Sequence, residues 1–296
     1  MRVFLTGATG FIGSAIARDL AAAGHTTLGL ARSDAAAEAL AQAGVEAHRG
    51  DLSDLDSLMA GARACDGVIH TAFIHDWSQS MADRADIDLR AVEAMAGVLE
   101  GADKPLVVAS GTLMVAGARV ATEADGPPDP NGPRAASETA VMAASERGVR
   151  GSIVRLPPSV HGAGDKGFMP MLIDIARRTG VAGYVGDGAN RWPAVHRLDA
   201  ARLFRLAMEK APPGTRLHGV ADEGIPMREI AETIGAGLGL PVRSIAQDAA
   251  VAHFDFLGMF LSMDNRTSSA VTREMLDWLP QGPGLLEDMR NNGYFS

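Results

Sequence analysis

The stretch Arg2-Val3-Phe4-Leu5-Thr6-Gly7-Ala8-Thr9-Gly10-Phe11-Ile12-Gly13 decides how the rest of the chain is read. An apolar run enters three glycines spaced G-x-x-G-x-x-G, and residues 14–23 continue in an Ala-rich helical pattern. Strand, tight turn and helix, in that order, form the setting in which a glycine triplet binds a dinucleotide. Gly7 lets the chain leave the strand sharply, Gly10 leaves room for a pyrophosphate beside the backbone, and Gly13 allows close helix packing. The free N–H groups and positive dipole end at the helix start favour phosphates. Thr6, Gly7, Thr9, Gly10, Phe11, Ile12 and Gly13 are therefore the expected cofactor cradle.

The remaining composition narrows the class. A chain of 296 residues, 47% hydrophobic, makes one large domain or two small ones with ample core. A formal net charge of −9 argues against nucleic acid or an anionic membrane as the main partner. Cys65, the single cysteine, cannot form an internal disulfide and suits a reducing compartment. No signal-peptide pattern precedes the first strand, and no apolar run approaches the ~20 residues of a membrane span. The expectation is a soluble, cytoplasmic protein with a small-molecule substrate and no metal.

A second strand over 26–31 ends at Arg32-Ser33-Asp34. An acid at this place binds ribose hydroxyls, whereas an Arg pairs with a 2′-phosphate. Arg32 followed by Ser33 favours NADP, and Asp34 keeps NAD open. A helix over 35–42, a strand over 45–48, Asp51-Leu52 and a helix capped by Ser53-Asp54 follow. Gly67-Val68-Ile69-His70-Thr71-Ala72 reads as the fourth strand, 83–99 as a long amphipathic helix, and 105–109 as the fifth strand. That strand ends at Ser110-Gly111-Thr112, where such a sheet presents groups to its ligand crevice. After a Pro-, Gly- and Asp-rich loop over 122–133 come a helix over 134–147 and a sixth strand over 151–156. The alternation predicts an α/β, Rossmann-type doubly wound parallel sheet.

Beyond Pro157-Pro158 the alternation weakens. A Gly-rich stretch over 180–190 leads to a returning strand at 192–196, a helix over 198–209, and then short helices and loops. The expected organisation is a dinucleotide-binding core over 1–160, rejoined by 191–220. Residues 161–190 and 221–296 would form a small, mainly helical substrate lobe.

With these residues in view, the chain resembles the extended or atypical short-chain dehydrogenase/reductase superfamily, near its nucleotide-sugar epimerase/dehydratase and hydroxysteroid dehydrogenase branches. The resemblance runs through TGATGFIG, Gly50-Asp51-Leu52, Val68-Ile69-His70-Thr71-Ala72 and Ser110-Gly111-Thr112. It continues through Val154-Arg155-Leu156-Pro157-Pro158-Ser159-Val160-His161-Gly162 and Val195-His196-Arg197-Leu198-Asp199-Ala200-Ala201, together roughly two-thirds of the chain. It implies that Asp51 and Leu52 bracket the adenine and that Ala72, with Thr71 beside it, lines the nicotinamide pocket. Pro157, Pro158 and Val160 would flank the nicotinamide from the other side. His70 and His196, each within an apolar strand pattern, are read as structural.

The catalytic pattern departs from that family. Its Tyr-x-x-x-Lys pair falls on Pro133-Arg134-Ala135-Ala136-Ser137-Glu138, with Arg134 at the Tyr position and Glu138 at the Lys position. No other register supplies it, because the only tyrosines are Tyr184 and Tyr294 and the only lysines Lys104, Lys166 and Lys210. Hydride transfer to a carbonyl still requires a proton or stabilisation of the forming alkoxide. Arg134 can stabilise an oxyanion but is a poor proton donor. Ser110 and Thr112 can hydrogen-bond a substrate oxygen, His75 has the intrinsic pKa for acid–base work, and Tyr184 can reach in from the lobe. His161 is a further candidate. Arg134 and Glu138, at i and i+4, alternatively form a helix-surface ion pair.

The expected activity is NADP(H)-dependent transfer of hydride to or from a small-to-medium apolar carbonyl or alcohol. The lobe's Phe168, Met169, Phe254 and Phe256 fit such a substrate, or plain core packing. The alternatives are a non-catalytic NADP-binding sensor and a nucleotide-sugar-type epimerase or dehydratase. Both a monomer and the homodimer common among relatives are compatible with the Ala-rich helices.

Overall fold

Four consecutive residues, Val3 to Thr6, have no solvent exposure, which is what a strand at the centre of a sheet covered on both faces requires. The computed structural model describes residues 1–74 and 80–296. β1 (Arg2–Thr6) is followed by α1 (Phe11–Ala22), β2 (Thr26–Ala31), α2 (Asp34–Gln42), β3 (Glu46–Arg49), α3 (Leu55–Arg63) and β4 (Gly67–His70). Next come α4 (Met81–Gly97), β5 (Pro105–Gly111), α5 (Ala135–Ser145), β6 (Arg150–Leu156), β7 (Ser159–His161), α6 (Phe168–Thr179) and β8 (Ala182–Val185). The chain continues through β9 (Arg191–His196), α7 (Arg197–Lys210), β10 (Thr215–His218), β11 (Asp222–Pro226), α8 (Met227–Leu238) and β12 (Val242–Ile245). It ends with α9 (Ala250–Phe254), α10 (Ala270–Leu276) and α11 (Leu285–Asn291).

Seven strands pair all-parallel in the order β10-β6-β5-β4-β1-β2-β3, a Rossmann-type sheet as expected. The alternation of β1 side chains divides the core. Val3 and Leu5 join α1 and α7 on one face, while Phe4 joins α3, α4 and α5 on the other. Strand order reverses between β1 and β4, so the crevice at their carboxyl ends is the place for a ligand. Ser33, Asp54 and Ser80 cap α2, α3 and α4, each accepting a backbone N–H three residues on.

β10 closes the large sheet, and α7 lies along α1. β9 pairs instead with β7 and β11 in a three-stranded sheet, and β8 pairs with β12. These strands and α6, α8, α9 and α11 enclose a third core around Trp192, Phe254, Leu257, Leu285 and Met289. Met169 and Phe254 are buried in it, and Phe168 and Phe256 pack partly against it, so core packing occupies most of the lobe's apolar side chains. Among the described residues no helix is long and apolar enough to cross a membrane.

Candidate active site

The glycine turn is shaped by contacts that exclude side chains. Gly7 has φ +73°, and a Cβ there would lie 2.8 Å from Thr71 Oγ1 and 2.9 Å from the Ala72 amide nitrogen. At Gly13 a Cβ would come within 2.0 Å of the Gly7 carbonyl oxygen, so the first turn of α1 sits directly on the exit from β1. The first α-helical bond runs from Ser14 N–H to the Gly10 carbonyl at 2.9 Å. The amides of Phe11, Ile12 and Gly13 precede it and are free for a ligand. Thr9 and Gly10 are exposed and Phe11 and Ile12 half-buried. This arrangement fits a pyrophosphate. The ends of β1 and β4 are laced together, with Thr71 Oγ1 donating to the Thr6 carbonyl and Ala72 N–H to Thr6 Oγ1.

Arg32 is exposed at the end of β2 and, among the described residues, has no acidic partner. Ser33 Oγ accepts the Ala36 N–H as the α2 cap. Asp34 is drawn instead to Arg49, at 2.7 Å. Asp51 accepts the Ser53 N–H, and Leu52 packs partly against the core under α3. On the opposite side Pro157 is buried, while Pro158 and Val160 are half-buried at the start of β7.

The two positions that carry Tyr and Lys in the family lead to separate networks. Arg134 is the N-cap of α5 with φ +69°, a strained conformation for a residue with a side chain. Its guanidinium carbon lies 4.0 Å from the centroid of the Phe73 ring, and Nη2 donates to the Ala109 carbonyl at 3.2 Å. Nη1 lies 3.4 Å from Asp88. These contacts hold Arg134 over the carboxyl ends of β4 and β5.

Asp88 is a buried acid on α4 that also accepts Ser137 Oγ at 2.6 Å and faces His70 Nε2 at 3.2 Å. Burial works to raise its pKa, but the His70 hydrogen bond and the Arg134 charge outweigh it and hold Asp88 below the ordinary carboxylate value. Thr6 Oγ1 stands 2.8 Å from His70 Nδ1. Because the Asp88 carboxylate can only accept, Nε2 carries the proton between them, and Nδ1 of a neutral ring then accepts from Thr6 Oγ1. A buried line therefore runs from Thr6 through His70 and Asp88 to Arg134.

Glu138 points the other way, into the sheet. It accepts Ser110 Oγ at 2.7 Å and Arg155 Nε and Nη2 at 2.9 and 2.6 Å. Arg155 has no exposure, and its Nη1 donates to the Asp125 carbonyl at 2.7 Å. The surface pair between Arg134 and Glu138 allowed by their spacing does not form. The cap conformation aims Arg134 at α4, and burial aims Glu138 at β6.

The other candidates are scattered. Ser110 is nearly buried, with its proton committed to Glu138. Thr112 is wholly buried, and its Oγ1 accepts Asn265 Nδ2 at 2.9 Å. Tyr184 lies on β8 beneath Arg228 in the lobe. His161 is buried against Asp288 at 2.8 Å, and His196 is pushed below the usual His pKa by burial and by His161. His75 lies outside the described residues. Asp88, Phe73, Arg155 and Asn265 were not singled out from sequence. Asp88 among Ala85, Ala91 and Val92 on one helix face, and Arg155 inside an apolar strand, are charges at core positions, and that was the available signal.

Residues 3–217 match the model of the NAD dependent epimerase/dehydratase family. An uncharacterized protein of Schizosaccharomyces pombe is 48% identical over 100% of both chains. The 2-alkyl-3-oxoalkanoate reductase of Stenotrophomonas maltophilia is 30% identical over 81% of this chain and 77% of its own. Among solved structures, a double mutant of the dTDP-glucose 4,6-dehydratase of Streptomyces venezuelae with NAD bound shares the fold. Its TM-score is 0.77 at 22% identity, over 99% of this chain and 98% of that one.

Proposed function

The chain belongs to the NAD dependent epimerase/dehydratase family of oxidoreductases, and on that premise we propose that it is an NADP(H)-dependent reductase of a small-to-medium, largely apolar carbonyl compound. One observation carries the reading: Arg134 stands where the family has its tyrosine and is fixed over the crevice by Phe73, Ala109 and Asp88. Bound NADPH supplies hydride from its nicotinamide. Arg134 faces the carbonyl oxygen and stabilises the negative charge that grows on it. The line Thr6–His70–Asp88 keeps the guanidinium in place. Ser110 stands outside this arrangement, its proton directed to Glu138 in the separate Glu138–Arg155 network. Protonation of the alkoxide falls to solvent or to His75, because an arginine does not give up its proton near neutral pH.

The preference for NADP rests on Arg32, which has no acidic partner among the described residues, while the neighbouring acid, Asp34, pairs with Arg49 on the surface. The reductase of Stenotrophomonas maltophilia, named for a 3-oxo acid substrate, supports a ketone as the reacting group. Residues 1–160 with 191–220 serve as the cofactor-binding unit in this proposal, supported by β10 in the large sheet and α7 on α1. Residues 161–190 and 221–296 cover the substrate. A reducing cytoplasm fits the single Cys65, whose thiol is pushed up to about 11 by burial and is inert there.

The test follows NADPH and NADH absorbance against aldehydes, ketones, 3-oxo acids and imines, with nucleotide binding titrated alongside. Substrate-dependent NADPH loss, cut about 10²–10³-fold in kcat by Arg134→Gln at unchanged NADPH affinity, is the expected result. Tight binding without turnover on the whole panel would instead make the protein a non-catalytic sensor. Absence of nucleotide binding would refute both.

A further inference from the structure

A cation without a counter-charge among the described residues stands beside the glycine turn. Arg197 opens α7, which packs along α1, so the N-termini of a 14-residue and a 12-residue helix come side by side. The Arg197 guanidinium carbon lies 4.7 Å from the centroid of the ring of Phe11, the first residue of α1. Nη1 donates to the Ala163 carbonyl at 2.7 Å. Nε is shut away from solvent and has no hydrogen-bond partner among the described residues. The one acid in the first turn of α7, Asp199, is already engaged by Arg202 and by the Gln281 and Gly282 amides.

The stem of Arg197 is held as well as its head. It runs across Gly162, where a Cβ would fall 3.0 Å from its Cγ and 3.1 Å from its Cδ. Burial and the nearby charge of Arg18 both disfavour its protonated form, and no acid among the described residues is placed to offset them. A half-buried arginine held in one place against the first residue of α1, with no acid opposite it among the described residues, lacks an anion.

We propose that Arg197 is a diphosphate-binding residue of the cofactor site, reaching across from α7 to the pyrophosphate held by the amides of α1. The inference rests on the dinucleotide reading of the glycine turn. It adds a residue from the far end of the fold to a cradle otherwise made by backbone alone. The cofactor would then tie α7 to α1 as well as occupy the sheet crevice.

Calorimetric titrations with ADP and with adenosine, at two salt concentrations, separate the possibilities for wild type, Arg197→Gln and Arg197→Lys. The Gln variant is expected to bind ADP about 10- to 100-fold more weakly, the range of one charge-assisted hydrogen bond, with adenosine affinity unchanged. Its ADP binding should also become less salt-dependent, and Arg197→Lys should recover part of both effects. A Gln variant that holds ADP within about twofold of wild type, or that loses adenosine in proportion, would overturn the assignment. If wild type itself does not prefer ADP to adenosine, the glycine turn is no phosphate cradle and both readings fall.

Discussion

Glu138→Lys would restore the family's residue at its position, and the geometry indicates that it would break the fold there. Glu138 takes three hydrogen bonds, from Ser110 and from two nitrogens of Arg155, and both ends of the ion pair are fully enclosed. Removing one partner of such a pair leaves an uncompensated buried charge and costs about 3–5 kcal/mol. Arg155 would keep the Asp125 carbonyl and the His218 ring, neither of which carries a compensating negative charge. A lysine adds a second cation to the same enclosure, with Arg216 also 3.7 Å from the lost carboxylate. Glu138→Lys should therefore reach at least the upper end of that range, a large share of the ~5–15 kcal/mol that holds a typical domain folded.

Guanidinium unfolding followed by far-UV circular dichroism measures the effect, with Glu138→Met, Arg155→Met and the double variant completing the cycle. Each single Met variant should lose about 3–5 kcal/mol. The double variant, with an apolar pair filling the space, should come within about 1–2 kcal/mol of wild type. A Glu138→Met variant that loses less than about 1 kcal/mol, or a double variant that loses the sum of the singles, would refute the buried strut.

Other consequences are equally direct. Gly13→Ala should abolish nucleotide binding and destabilise the fold, because its Cβ has 2.0 Å to the Gly7 carbonyl oxygen. Gly97→Ala, at the end of α4 with open space around it, should instead add about 0.5–1 kcal/mol, and thermal melts of the two variants should move in opposite directions. His218 has its pKa lowered by burial, so between that value and about 6.5 the unfolded chain holds a proton the native state does not. Stability should fall as the pH drops through that window, by at most about 1.4 kcal/mol per pH unit from this group. Melting curves of His218→Asn should show a shallower pH slope, and an unchanged slope would assign the effect elsewhere. Arg32→Ala should weaken NADPH about tenfold and spare NADH, and equal losses in steady-state KM would remove Arg32 from the 2′-phosphate site.

The glycine turn, the alternation of strands and helices through β6 and the missing Tyr–Lys pair were all legible in the sequence. Each is written in residues close together along the chain, where steric rules and periodicity act directly. The lobe was much less so. β7, β8, β11 and β12 span only three to five residues each, too short and too mixed in exposure for a period to stand out.

The identities at the positions of the family's Tyr and Lys were plain from the sequence, but their partners were not. Arg134 had a helical neighbour in Glu138, and spacing alone makes that pair reasonable. Packing chose otherwise, because a buried carboxylate needs hydrogen-bond donors, and Arg155 and Ser110 are buried with it and supply them. Asp88 met Arg134, and Arg197 met Phe11, across interfaces between helices and strands far apart in the chain. The sequence by itself determined the fold class and the glycine turn proposed to receive phosphate. Which charges face one another there was decided by the tertiary structure, since pairing in a low-dielectric interior depends on distance and burial that no local pattern encodes.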